Sequence, residues 1–375
     1  MIIKPIQVRD KRDLKAFIEL PYEIYKNDRN WVAPLRVDIK NILKGKDNPL
    51  FSDGEYQPVM VYIGSKAVGR ICVGIDRKIN GAKHLKEGYI TLFECINDYK
   101  VAEALLDYSC QWLKERGMTI IKGPISPTKG DDYRGMLVDG FDSPPVLMNS
   151  YNPRYYISFF ERYGFYKYLD LFAYRYDLKK PLPDKLKNIV DFAQKKYNFI
   201  VDRINLKNIQ RELADIKKIL DISVPEEWED LAPPSMEEIQ AWGRKLVPVA
   251  EPNLIYIARS EGQPIGFSIA LPDYNQVLIH MKGKWLPFGF IKYLLHKSKI
   301  KGGRIFILFV VPEFRKKGVT AAIYYKSMSW AQQRGYIYGE GSTIGETNLA
   351  MRRDAERVGG VHYKTYRIYQ YSIGQ

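Results

Sequence analysis

The chain has 375 residues, 46% hydrophobic and 27% charged, which is enough material for two domain cores and too apolar for a disordered or collagen-like polymer. Its formal charge of +15 calls for an anionic ligand or surface, and the surplus is uneven: basic residues outnumber acidic ones 27 to 23 over residues 1–178 and 31 to 20 over residues 179–375. Three scattered cysteines, Cys72, Cys95 and Cys110, fit neither a disulfide framework nor metal spacing, and four dispersed histidines bring no HExxH pattern.

From the N-terminus, residues 1–10 lack the basic and apolar segments of a secretory signal, and no apolar run approaches about 18 residues. The expectation is a cytoplasmic protein that makes no contact with a membrane. Residues 59–70 read as two strands joined by a tight turn and ending at Gly69. Residues 101–116 place Ala104, Leu105, Tyr108, Trp112 and Leu113 on one helical face, Gly117 stops the helix, and residues 118–121 form a short apolar strand. The segment 126–147, punctuated by Gly, Asp and Pro, is long enough to be a lid or an interface, with a rigid packed loop favoured by its composition. Residues 166–176 alternate as a strand with one packed and one solvated face.

Prolines in residues 179–184 break the pattern, and an amphipathic segment follows at about residues 185–197. The acidic run 226–230 reads as a helix start, or as a wall attracting a cationic amine. Beyond it the first half recurs. Residues 104–117 lie over residues 322–335 at an offset of 218, with identities at Ala104, Ser109, Trp112, Arg116 and Gly117. The hairpin 59–70 has its counterpart at 255–267, with Gly266 matching Gly69, and Glu161, Arg162 and Gly164 match Glu356, Arg357 and Gly359. Each half therefore reads as helix, hairpin, strand, helix, strand, helix, strand. This is an α/β fold built twice, each sheet mixed, mostly antiparallel and flanked by helices, with domains at 1–178 and 200–375 and a linking helix at 179–199.

Residues 305–311 are a continuous apolar run, expected to be a central strand buried on both faces. Next come Arg315, Lys316, Lys317 and Gly318, and then a helix. A basic turn at a helix N-terminus offers free amides and the positive end of the dipole to an anion, and Gly318 permits close approach of phosphate. This fits the local charge: residues 274–353 carry 14 basic residues against Glu313, Glu340 and Glu346.

Residues 310–320, with the following Arg–Gly stop, strand, Asn348 and Gly359, resemble the acetyl-CoA-binding motif of the GNAT superfamily of N-acetyltransferases. The resemblance covers most of residues 200–372 and extends by internal repetition to the first half, so the chain looks like a tandem GNAT protein. It implies acetyl-CoA as cosubstrate and no metal. It also implies that the backbone of Phe309, Val310 and Val311 pairs with the pantetheine arm where a bulge splays the fourth strand from the fifth. Arg315, Lys316, Lys317, Gly318, Val319 and Thr320 would hold the pyrophosphate, and Asn348 would steady the pantetheine amide. In the first half the matching turn, residues 96–102, has no glycine and carries Asp98 where an anion would sit, so that half should not bind CoA.

Two departures stand out: Thr320 replaces a small residue, and Ala355 stands where many relatives place a proton-donating tyrosine. Candidate bases for amine deprotonation are Glu340 and Glu346, with Tyr338 as candidate acid. The acceptor expected is a small-molecule or peptide amine. A non-catalytic acyl-CoA-binding protein and an aminoacyl or peptidyl transferase of double-GNAT type are the alternatives. Residues 339–345 imitate a dinucleotide fingerprint with the wrong glycine spacing, and the basic–aromatic alternation of 363–371 reads as a strand, so nucleic acid is not the expected partner. Exposed tyrosines and the 126–147 segment offer a surface for a homodimer.

Overall fold

A computed structural model describes the chain except residues 46–47, 53–54, 129, 131, 226–232 and 375. The acidic run 226–230 thus lies outside the described residues. The chain divides into two compact units that interleave in sequence: Met1–Leu171, Asn275–Lys297 and Lys364–Gln375 form the first, Phe172–Tyr274 and Ser298–Tyr363 the second. The sequence reading groups residues by chain continuity, with a boundary at 178, whereas compactness assigns residues 275–297 and 364–375 to the first unit.

The first unit contains β1 (Ile2–Pro5), β2 (Glu55–Ile63), β3 (Lys66–Ile75), β4 (Glu87–Cys95), β5 (Ile120–Gly123), β6 (Met136–Asp139) and the beginning of β7 (Tyr166–Asp177). The second contains the end of β7, then β8 (Phe199–Arg203), β9 (Ile255–Ser260), β10 (Gln263–Pro272), β11 (Gly302–Val310), β12 (Tyr338–Gly345) and the first residues of β13 (Val361–Ser372). The remainder of β13 belongs to the first unit and runs antiparallel to β5, with Tyr369 opposite Gly123.

In the first unit β1 to β4 are antiparallel neighbours and β4 runs parallel to β5. The second repeats this plan: β8, β9, β10 and β11 are antiparallel neighbours, β11 runs parallel to β12, and β7 follows β12 in the strand order. The helix after β4, Tyr99–Lys114, starts two residues before the expected position because the Asp98 carboxylate caps it, accepting from Lys100 N at 3.0 Å. Its buried face, including Val101, Leu105, Trp112 and Leu113, packs into the core of the first unit. The shared hairpin glycine has a steric cause. A Cβ on Gly69 would fall 2.6 Å from Val101 Cγ1, and one on Gly266 would fall 3.2 Å from Val319 Cγ1, so each hairpin thins to let its helix approach.

In its described residues the 126–147 segment is packed into the first unit. It donates β6 to the sheet beside β13, and the buried Lys364 ammonium donates to the carbonyls of Gly140 and Ser143. Asn152 acts as a substitute strand, accepting from Leu137 N at 2.7 Å and donating to Leu137 O at 3.2 Å. Cys72 and Cys95 are buried, Cys110 is partly buried, and all three are free thiols. Burial pushes the Cys72 and Cys95 thiols well above their ordinary range, which disfavours the reactive thiolate.

Replacing Asn152 by Ala strands the amide and carbonyl of Leu137 in a buried position, each costing about 1–3 kcal/mol. Urea unfolding should register a loss of about 2–4 kcal/mol; a change within experimental error would show that Leu137 finds other partners.

Candidate functional site

In the second unit, β11 lies between β10 and β12. Its ladder to β12 runs from Gly302 opposite Tyr338 to Ile305 opposite Gly341, while its ladder to β10 continues as far as Val310 opposite Gly266. The fork has a local cause. Ile269 pairs with Ile307 but Ala270 pairs with Ile305, so Phe306 is an extra residue, and such a bulge bends and twists the strand that carries it. As a result residues 305–309 are only half-buried. The expectation of a strand buried on both faces fails here because the second neighbour turns aside.

Just before the fork the two strands are locked together. Arg304, 1% exposed, donates from Nε to Ser342 Oγ at 2.8 Å and from Nη2 to Ser342 O at 3.1 Å. Ser342 Oγ donates to Glu340 Oε1 at 2.5 Å, the Tyr363 hydroxyl donates to the other Glu340 oxygen, and Arg304 Nε lies 4.0 Å from Glu340. Glu340, proposed from sequence as a general base, is fully buried among these partners, and removing Arg304 or Glu340 would leave the other charge buried without its counterion. Tyr338 donates to the Asp273 carboxylate and lies beneath the Arg175 guanidinium, 4.0 Å from its ring centre. Glu346 is half-buried, and its backbone carbonyl accepts from Arg352 Nη1 at 3.0 Å. The three residues thus have separate partners.

Beyond β11 a single turn, Pro312–Phe314, leads to the helix Val319–Gln333. Lys316 (φ +62°) and Gly318 (φ +84°) are left-handed, and no side chain caps the helix. Among the described residues the amides of Gly318, Val319, Thr320 and Ala321 have no acceptor, and a 15-residue helix puts its positive dipole end behind them. These orphan amides fit a diphosphate of the kind acyl-CoA carries.

The cations divide differently from the sequence reading. Arg315 donates to Val310 O at 3.2 Å and to Ser223 O at 3.1 Å, so it staples the loop. Lys317 Nζ sits 4.7 Å from the Phe314 ring centre, and Lys316 is exposed. Gly318 is required for a reason the sequence concealed: a Cβ there would fall 2.6 Å from Ala193 Cβ, on the helix Asp184–Lys196. Phe309 pairs with Phe267, the Val310 carbonyl serves Arg315, and the Val311 amide donates to Ile265 O at 2.9 Å. Asn348 caps the helix Leu349–Arg357 by accepting from Met351 N at 3.1 Å.

Ala355 is fully buried. Close to it are two residues the sequence reading missed, Tyr176 and Tyr324, whose hydroxyls lie 3.3 Å apart. A Cβ on Gly341 would be 3.2 Å from the Tyr176 oxygen and 3.3 Å from that of Tyr324, so the pair lies against β12 where the ladder ends. Burial pushes the Tyr324 phenol up to about 12 and raises Tyr176 well above its ordinary range, keeping both protonated at neutral pH. The strict alternation of residues 166–176 was the available signal for Tyr176. A cavity of about 250 Å³ lined in part by Pro183, Asp184, Tyr325 and Gln332 lies along the later turns of the helix Val319–Gln333, away from the orphan amides.

The acetyltransferase (GNAT) family model matches residues 213–359. Over 98% of its length the chain is 30% identical to a protein of Caulobacter vibrioides named "Bacterial ceramide synthase", covering 97% of that protein. It is also 30% identical to "Protein YghO" of Escherichia coli, over 97% of this chain and 94% of that one. Among solved structures, a tandem GNAT protein from the clavulanic acid biosynthesis pathway aligns over 100% of this chain and 99% of its own, with a TM-score of 0.60 at 9% identity, a likeness of fold.

Gly318→Ala adds left-handed strain and the clash with Ala193, together worth about 1–3 kcal/mol. In a double-mutant cycle followed by urea unfolding, Ala193→Gly should restore the steric part and leave the backbone part. Strict additivity would contradict the contact.

Proposed function

Because this chain belongs to the acetyltransferase (GNAT) family and is an acyltransferase, we propose that it moves an acyl group from acyl-CoA to a primary amine. The observation that carries this reading is the fork at Phe306, which leaves an apolar strand half-exposed beside a helix N-terminus with orphan amides. The diphosphate would sit on the amides of residues 318–321, and the thioester arm would follow β11 into the fork. Amine attack requires donors for the developing oxyanion and a proton for the departing thiolate. Amides of β11 beyond Ile305 would serve the first need. The Tyr176–Tyr324 pair supplies hydroxyls for the second, in place of a tyrosine at the Ala355 position; the donor would regain its proton from the ammonium of the adduct as the amide forms.

For the acceptor we favour the amine of a long-chain amino alcohol, with a long acyl chain on the donor. A ceramide is the amide formed from those two components, and the relative that matches this chain end to end carries that name. The wall supplied by residues 305–309, Ile-Phe-Ile-Leu-Phe, is uncharged and suits an apolar chain.

The test combines titration calorimetry with CoA and an assay of free CoA release from acetyl- and long-chain acyl-CoA. The assay is run with a long-chain amino alcohol, a polyamine and an amino acid amide as acceptors. Binding should be abolished by Gly318→Asp, which places a carboxylate among the anion-binding amides, and release should be fastest with the lipid amine. Absence of release from every donor and acceptor would end the transferase reading in favour of a binding protein. Release with polar amines alone would keep the transferase and discard the lipid acceptor.

A further inference from the structure

The helices Asn275–Met281 and Gly289–Lys297 form a hairpin in the first unit whose outer side is apolar. Its connection, residues 282–288, is firmly seated. The Arg36 amide donates to Gly283 O at 3.2 Å, the Arg36 guanidinium donates to Lys282 O at 3.1 Å, and a Cβ on Gly283 would fall 2.4 Å from the Tyr22 hydroxyl oxygen. Phe290 N donates to Trp285 O at 2.9 Å and fixes the start of the second helix.

From this base, large apolar side chains point into solvent. Leu286 is 73% and Phe288 69% exposed, and Trp285, Ile291, Leu294 and Leu295 are exposed with them. Of the described residues in the helix Gly289–Lys297, Gly289 alone is buried. Leaving this much clustered aromatic and aliphatic surface in water is unfavourable for a monomer, and such patches mark sites of contact.

Charge identifies the occupant. Lys282, Lys284 and Lys297 are all exposed on the hairpin that carries the patch, and no Asp or Glu occurs between Asp273 and Glu313. Two copies meeting through this face would oppose lysines with no carboxylate in the segment to pair them. An anionic lipid surface accepts both features, since Trp, Phe and Leu settle at the level of the headgroups while flanking lysines meet the phosphates.

We propose that this hairpin docks on an anionic bilayer, with the side chains around Leu286 and Phe288 entering the headgroup region. Docking of this kind requires no apolar run long enough to cross a membrane, the criterion from which the sequence expected no membrane contact. It does not depend on acyl transfer.

The full chain is sedimented with vesicles of phosphatidylcholine alone and of phosphatidylcholine mixed with phosphatidylglycerol. Expected is partition onto the mixed vesicles, reversed by salt. Leu286→Ser with Phe288→Ser, and separately Lys282→Ala with Lys284→Ala, should each lower the partition coefficient by roughly tenfold or more. All four side chains are exposed, so thermal melting and calorimetric binding of CoA should be unchanged in both variants, which separates this proposal from the acyltransferase reading. Equal partition onto both vesicle types, or partition untouched by either variant, overturns the proposal. So does a dimer abolished by Leu286→Ser with Phe288→Ser in a chain that ignores vesicles, because the patch would then serve a second copy.

Discussion

The second unit depends on one constraint: β11 must pair with β12 over a few residues and then leave it. Two opposed local structures make this happen. Arg304, Ser342, Glu340 and Tyr363 form a buried polar lock at the paired end, and the extra residue at Phe306 turns the strand where the lock stops. A bulge alone would leave the fork free to slide. The buried lock ties the ladder to one register, because a shift by one residue would separate Arg304 from Glu340 and strand both charges. The groove is thus defined by what holds its closed end.

The first unit contains the same fork with the opposite result. Its β4 is also bulged, for Arg70 pairs with Glu94 and Cys72 with Thr91, leaving two residues of β4 opposite one of β3, and Leu92 is left-handed. Here the chain fills its own gap. Ile125 N donates to Ile90 O at 3.0 Å and Thr91 Oγ1 donates to Ile125 O at 2.8 Å, so backbone occupies the position a thioester arm would take. At the adjoining helix the Asp98 carboxylate takes up the Lys100 amide that an anion would need. One fold leaves its fork open or filled according to whether an internal carboxylate and an internal backbone segment occupy it.

Much of this was legible in the sequence because it is written locally or twice. The repeated Trp–Arg–Gly helix endings, the paired hairpin glycines and Asp98 each report on neighbours close in the chain, and the helices lie within two residues of their expected positions. What escaped was long-range. Ala193 decides why position 318 must be glycine, Ser223 decides what Arg315 does, and Tyr363 with Arg304 decides that Glu340 is buried and hydrogen-bonded inside the lock. A side chain's type suggests the chemistry it can do; its partners determine which of those roles it keeps. Asn348 is a small instance, since its position resembles a ligand contact and its side-chain oxygen also caps the helix beginning beside it.

The basic surplus of the second half shows the same division. As a count it suggested one anion-binding face. In the structure Arg304 serves a carboxylate and a serine in the interior, Arg315 serves two carbonyls, and Lys317 lies over an aromatic ring. These cations fix the backbone whose amides then offer positive potential at the helix start, so their charge is spent on shaping the chain. Lys282 and Lys284 are exposed in the connection that carries Trp285, Leu286 and Phe288, and they flank apolar side chains instead. Net charge measures how many cations a segment carries; burial separates those that build a site from those that face a surface.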